Sequence, residues 1–263
     1  MAFYRTNKNR ILSGYDSTVL SVNHRGYNTI APENTLPAFT LSKQMGFDYV
    51  ETDIEFTSDN VPVLLHDSTI NRTSNGSGNI SQMTFQQVRQ YDFGSWKSPE
   101  YAGTKIPSLM EFLKLCKCLE LHPYMEIKSN VSYTEAQLGL IVEYVNKYGL
   151  TGKVTYISFN STFLSIIKNI DNKARLGYLK STYAANDVNI CNGLKTGYNE
   201  VFYDLSYDSM TDEVASEFSS SNIPVELWTI DNQNDILTMN DYVTGVTSNT
   251  QIAGLVLYNS MIG

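Results

Sequence analysis

Short β-branched or aliphatic runs recur along this chain at residues 19–23, 49–55, 124–128, 154–158, 175–179, 200–204, 225–229 and 243–248. Amphipathic stretches separate most of them. Asn34-Thr35 stand ahead of Pro37 and an apolar-periodic run, a cap followed by a first-turn proline. Ser108 and Glu111 have capping-box spacing. A helical stripe over 134–148 stops at Gly149, a glycine placed to end a helix. Eight strands alternating with helices over about 250 residues predict an α/β chain closed as a (β/α)8 TIM barrel. A doubly wound open sheet is the alternative, but no glycine-rich phosphate turn follows the first run.

One interval breaks the alternation. Parallel neighbours need a crossover of a dozen or more residues, and the interval between Glu51 and His66 leaves no room for one. Residues 61–65 must therefore return antiparallel, as a hairpin around Asp59-Asn60. Counting outward symmetrically from that turn sets Asp53 opposite His66. The polar, Gly/Ser-rich stretch that follows, about 68–107, reads as an inserted cap segment on the top face. No Pro/Gly/Ser linker divides the chain, so residues 1–263 read as a single barrel domain.

Charge narrows the function. The chain has 27 Asp+Glu against 19 Lys+Arg, a net charge of −8, and no basic run. A nucleic-acid partner needs clustered Lys and Arg, and an electrostatic membrane anchor needs the same, so neither is expected. Charged residues make up only 17% of the chain, below the roughly 25% of ordinary soluble domains. Such a protein can grip phosphate only with a metal or a few well-placed cations. Three cysteines, Cys116, Cys118 and Cys191, make no disulfide framework and read as small buried residues. Residues 1–14 are polar, with no signal peptide, and the longest apolar stretches are strand-length, with no membrane span expected.

Glu51 and Asp53 are spaced i, i+2, so both project from one face of a strand, and Glu126 and Lys128 repeat that geometry. A strand with its polar side in solvent would give the same pattern. These pairs, however, end runs where a barrel of this kind places its active site. Three converging carboxylates suit one hard divalent cation with oxygen ligands, Ca²⁺ or Mg²⁺, rather than zinc. His24 and His66 each terminate an apolar run, where a lone histidine would read as a hydrogen-bonded rim residue; together, flanking an acidic cluster, they read as an acid–base pair, since imidazole can take and give a proton near neutrality. His122 precedes Pro123 at the other end of the barrel and reads as structural.

The ordered set His24-Arg25-Gly26, Ala31-Pro32-Glu33-Asn34-Thr35, Glu51-Thr52-Asp53, Pro62 to Asp67, Asn71-Arg72-Thr73, Glu126-Ile127-Lys128 and Trp228-Thr229-Ile230-Asp231 resembles the glycerophosphodiester phosphodiesterase family over nearly the whole barrel. The resemblance implies metal-dependent hydrolysis of glycerophosphodiesters to glycerol phosphate and an alcohol. It implies Glu51, Asp53 and Glu126 as metal ligands and His24 and His66 as general acid and base. Arg25 and Lys128 would contact phosphoryl oxygens, and Trp228 would line the glycerol side of the pocket. The adjacent glycerol hydroxyl would attack first, giving a cyclic phosphate that water then opens. Glu33 is expected to brace a neighbouring side chain, Asp67 to orient His66 or begin a turn, and Arg72 to anchor the insertion. Tyr203 and Phe159 are placed either to touch substrate or to pack. One departure stands out: where the family carries Thr-Asp-x-Pro after the last strand, this chain reads Thr247-Ser248-Asn249-Thr250-Gln251. The apolar tail beyond it would pack across the barrel's bottom or lead elsewhere.

The charge-poor surface, rich in Asn, Ser, Thr and Tyr, suits a phage-tail or other surface-facing module acting on polyglycerol-phosphate teichoic acid, with a cytoplasmic enzyme as the alternative. Two other readings stay open: a non-catalytic module binding glycerol phosphate or teichoic acid, and a sphingomyelinase-D-like lyase. The latter class relies on disulfides that these cysteines do not supply. Oligomeric state is not legible.

Overall fold

The computed structural model of the protein describes residues 19–232, 235 and 242–250. The polar stretch 1–14 and the tail after Thr250 lie outside the described residues. The strands are β1 (Leu20–Asn23), β2 (Tyr49–Phe56), β3 (Pro62–Leu64), β4 (His122–Ile127), β5 (Thr155–Ser158), β6 (Arg175–Lys180), β7 (Val201–Ser206), β8 (Val225–Trp228) and β9 (Val243–Ser248). All but β3 run parallel, in the order β1-β9-β8-β7-β6-β5-β4-β2, and β1 pairs back onto β2. The sheet thus closes into a barrel of eight parallel strands, one for each run read in the sequence. Closure removes every free strand edge from the barrel.

The helices begin and end where their capping chemistry dictates. Ser108 and Glu111 form a reciprocal capping box ahead of Leu109–Leu119, and Thr134 and Gln137 form another ahead of Glu135–Tyr148. The latter stops at Gly149, whose φ of 70° is the left-handed conformation glycine adopts freely. The helix Leu36–Gln44 has Pro37 in its first turn and Thr35 at its cap, but the Thr35 hydroxyl donates to the Pro32 carbonyl instead of capping. Phe39 of this helix packs on Phe112, ring centroids 4.5 Å apart. Cys116 and Cys191 are buried as expected, but Cys118 is exposed. Two positions on from Cys116, it faces away from the core.

β3 pairs antiparallel with β2, as the missing crossover requires, but one residue out of the expected register. Ser58, Asp59 and Asn60 form a three-residue loop in which Asn60 takes a φ of 64°, and Thr57 N–H reaches the Val61 carbonyl. Leu65 therefore lies opposite Asp53, its N–H on the Asp53 carbonyl at 3.1 Å. A one-residue shift would turn a paired side chain to the other face. His66 escapes this because it lies beyond the last residue of β3.

Residues 68–107 build the cap from short 3₁₀ turns (Ile80–Gln82 and Pro99–Tyr101) and one four-residue helix, Phe85–Val88. Val63 and Leu65 from the hairpin join Ile70, Ile80, Val88 and Phe93 in an apolar cluster separate from the barrel core. The segment has a small core of its own beneath a polar sequence.

Inside the barrel, a half-buried cation organises the lower layer. Arg175 donates to Glu226 Oε1 at 2.5 Å and to the Tyr124 hydroxyl at 2.5 Å, pairs with Glu200 at 3.0 Å, and lies over the Phe202 ring. Two glycines make room for this layer. A Cβ at Gly177 would meet the Phe202 ring at 2.4 Å, and one at Gly245 would meet Glu226 at 2.7 Å. Removing one partner of a buried ion pair strands the other. Glu226→Ala is expected to lower folding stability by about 3–5 kcal/mol, whereas Arg175→Met combined with Glu226→Leu recovers most of that loss. Denaturant unfolding of the three proteins checks both outcomes.

Candidate active site

The carboxylates gather through strand register. Glu51 and Asp53 share the inner face of β2, and the pairing of Asp53 with Glu126 on β4 sets the third beside them. One oxygen from each lies within 4.8 Å of the others. The pairing of Asn23 with Val50 carries β1 past Glu51, leaving His24 Nε2 3.9 Å from Glu51 Oε2. Arg25 then turns back with a φ of 53°, its N–H on Glu51 Oε2 at 2.9 Å and its Nε 3.3 Å from Asp53 Oδ2. Gly26 completes the turn at φ 74°, where any Cβ would lie 2.8 Å from that of Ala38. Lys128, two residues after Glu126, reaches Asp53 Oδ1 and Glu126 Oε1, both at 3.1 Å.

Each carboxylate answers differently to this crowding. Burial works against the charge on Asp53, but Lys128 and Arg25 outweigh it and hold the group well below the usual carboxylate range. Burial, with Asp53 adding its repulsion, drives Glu51 well up and pushes Glu126 to about 7. A buried trio of hard oxygen donors that resists ionising together fits a divalent cation, which would offset that repulsion. His24 is lowered to about 4, first by burial and then by Arg25, which keeps its ring neutral.

The two histidines are held from behind by different groups. His24 Nδ1 lies 2.8 Å from Asn249 Oδ1. That amide is oriented by its own donation to Asp231 Oδ2 at 2.6 Å, and its oxygen also accepts from Asn28. With Asn249 Oδ1 as acceptor, His24 carries its proton on Nδ1 and presents a lone pair on Nε2. His66 Nδ1 instead meets a carboxylate, Asp67 Oδ1, at 2.8 Å. Arg72 holds Asp67 through two bonds and grips Glu33 through two more, and Glu33 in turn accepts from Arg25 at 3.0 Å. Arg72 therefore ties the 68–107 segment to the acidic cluster through Glu33 and Arg25.

A cavity of about 240 Å³ joins these groups. His24, Arg25, Glu51, His66, Glu126 and Lys128 line one side, and Ile157, Phe159, Leu179, Asp204 and Trp228 the other. Trp228 meets Phe159 edge to face at 5.7 Å, so both reach the pocket. Tyr203 does not: it is fully buried, stacked on Phe218 at 4.1 Å, and donates to Asp187. A second cavity of about 330 Å³ opens at the far end of the barrel, near His122 and Arg175. His122 packs on Tyr49 there, its ring tilted by 35° at 4.9 Å, away from the acidic trio.

Several contributors were not legible as such. Asn34, read only as a cap, donates to Asp53 Oδ2 at 2.8 Å and accepts from Thr52 Oγ1 at 2.7 Å, from a backbone with φ 56°. Asn249 occupies the point where the sequence departs from its expected pattern, and that departure was the available signal. Asp204 offered none beyond ending a strand run.

The family model for the glycerophosphoryl diester phosphodiesterase family matches residues 24–250. A glycerophosphodiester phosphodiesterase of Caldanaerobacter subterraneus is 30% identical over 160 residues, 61% of this chain and 66% of that protein. Glycerophosphodiester phosphodiesterase 1 of Rattus norvegicus is 40% identical over 122 residues, 46% of this chain and 37% of that protein. These matches span about two thirds or less of the relatives' own lengths. Among solved structures, a phosphodiesterase from Oleispira antarctica, in complex with the product sn-glycerol-3-phosphate, superposes with a TM-score of 0.79 at 23% identity. That likeness covers 90% of this chain and 96% of that one.

The Asp67–Arg72 contact has a pH signature. Bonds from Arg72, with His66 adding to them, lower Asp67 from 3.8 to about 2. Because the folded value lies below the ordinary one, the contact stabilises the cap in full above pH 3.8 and is lost as pH falls through about 2. Amide exchange of residues 67–107 is expected to accelerate across that window, and Asp67→Asn to reduce the dependence, the remainder being carried by the Arg72 bonds to Glu33.

Proposed function

Because the chain belongs to the glycerophosphoryl diester phosphodiesterase family, we propose that it hydrolyses glycerophosphodiesters to glycerol phosphate and an alcohol. The observation that carries this reading is the joint presence, around one cavity, of two oriented histidines, Arg25, Lys128, Glu51 and Glu126, with Asp53 buried directly behind them. The glycerol phosphate product held by the Oleispira phosphodiesterase supports the same product class here.

A phosphodiester gains negative charge as the nucleophile adds, so groups that meet the added charge lower the barrier selectively. Arg25 and Lys128 supply two such charges, their positions fixed by Asp53. Glu51, Asp53 and Glu126 would hold one divalent cation, magnesium or calcium, which supplies further positive charge to the phosphoryl oxygens. His24, neutral with its Nε2 lone pair exposed, takes the proton of the attacking glycerol hydroxyl. His66, backed by the Asp67 carboxylate, delivers a proton to the departing alcohol. A cyclic phosphate results, and the two histidines exchange roles as water opens it. Trp228 lines the side that receives the glycerol carbons. In polyglycerol-phosphate teichoic acid each linkage is a glycerol phosphodiester, so this polymer falls within the same chemistry. A chain rich in uncharged polar residues suits a surface-facing or phage-tail setting for that substrate.

Phosphorus NMR of reactions with glycerophosphocholine and lipoteichoic acid tests the reading. Glycerol phosphate should appear, chelator should abolish it, and magnesium or calcium should restore it. His24→Ala and His66→Ala should each lower kcat by about 10²–10⁴-fold. A cyclic phosphate as the end product would make the protein a lyase, and binding without turnover would make it a recognition module. Activity surviving both histidine substitutions would overturn the assigned roles. Since Glu51 and Glu126 are shifted upward, cation binding near pH 7 should also release protons, read as a buffer-dependent calorimetric enthalpy.

A further inference from the structure

Resting on the glycerophosphodiesterase reading, we propose that Asp204 is the specificity-determining group for the glycerol end of the substrate, accepting a hydrogen bond from a free terminal glycerol hydroxyl. Asp204 lies on β7 and lines the cavity on the side opposite the acidic trio. It is only 3% exposed, and its Oδ1 is fully buried with no hydrogen-bond partner among the described residues. A buried polar oxygen left unpaired costs about 1–3 kcal/mol, more when charged, so this position is expensive unless a ligand completes it. The cation whose charge acts on it, Arg175, is already committed to Glu226, Glu200 and Tyr124. Burial, reinforced by Glu226, drives the Asp204 carboxyl well up. Neutral or charged, it keeps an oxygen able to accept.

The surroundings define what can reach it. Ile157 and Leu179 are buried beside it as the apolar floor, while Phe159 and Trp228 are half-buried toward the mouth. The Trp228 indole N–H donates to the Asp204 carbonyl at 3.2 Å, fixing the ring over that strand. Among the described residues of this wall, Asp204 is the one ionisable side chain. A floor of this shape inside about 240 Å³ takes a small carbon chain with one hydroxyl donor at its end. A trimethylammonium group has no donor to offer the Asp204 carboxyl group, and an acyl ester at that hydroxyl removes the donor and adds bulk. The site therefore selects the deacylated glycerol end and leaves the varied alcohol at the open mouth.

The test compares glycerophosphocholine with its 1-deoxy analogue, which has a methyl group in place of the terminal hydroxymethyl. It is run on the wild-type protein, Asp204→Asn and Asp204→Leu, with Asp204→Ala replacing the leucine variant if that does not fold. The wild type should favour glycerophosphocholine in kcat/KM by about tenfold or more, since a pocket built around a hydroxyl rejects the analogue lacking it. Asp204→Asn, which keeps an acceptor oxygen, should retain the preference, and Asp204→Leu should erase it. In parallel, calorimetry measures binding of sn-glycerol 3-phosphate and its 1-deoxy analogue, without need for turnover. Selective binding lost in Asp204→Leu, with no turnover by any protein, would uphold this role and overturn the proposed activity. Turnover with no discrimination in the wild type, or with equal discrimination in Asp204→Leu, would overturn this role and leave the activity standing. No binding and no turnover would sink both.

Discussion

Asp53 is the charge on which the rest of the site depends. It is 1% exposed and surrounded by Lys128, Arg25 and Asn34, each within 3.3 Å. A carboxylate this deeply buried persists only where paired charges and hydrogen bonds offset its lost hydration. Supplying them dictates local backbone. Arg25 and Asn34 both adopt positive φ, and Gly26 is confined to glycine by the helix behind it. Strain of this kind survives where surrounding contacts over-determine it. Here those contacts are the ionic bonds themselves.

From that centre the electrostatics extend outward in an unbroken series. Arg25 shares Glu33 with Arg72, Arg72 holds Asp67, and Asp67 holds His66. The cap is thereby tied to the barrel by charge, beside its apolar cluster around Ile70 and Phe93. The opposite histidine is tied instead to the end of β9 through Asn249 and Asp231. A neutral amide stands behind His24 and a carboxylate behind His66. In the proposed mechanism that asymmetry suits His24 to accept a proton and His66 to donate one.

Much of the fold was legible because its signals are local. Run length and spacing gave eight strands, and Ser108 with Glu111 and Thr134 with Gly149 marked helix ends through contacts only a few residues apart. The missing crossover after Glu51 required a hairpin by chain length alone. Its register was not legible, since that turned on whether Asn60 would adopt a left-handed backbone. Glu51, Asp53, Glu126 and Lys128 were legible through their i, i+2 spacing at strand ends. Asn34 was not, because one residue type serves both as helix cap and as carboxylate partner.

The sequence by itself therefore determined a (β/α)8 barrel, the carboxylates and histidines at its mouth, and the family to which the chain belongs. These follow from periodicity, turn chemistry and motif order, all properties of neighbouring residues. Only the tertiary structure decided which atom meets which: that Asn249 orients His24, that Arg72 joins Glu33 to Asp67, and that Asp204 Oδ1 has no hydrogen-bond partner among the described residues. Those relations span tens to hundreds of residues. They depend on strand register and barrel closure, where a shift of one residue reverses the face a side chain presents.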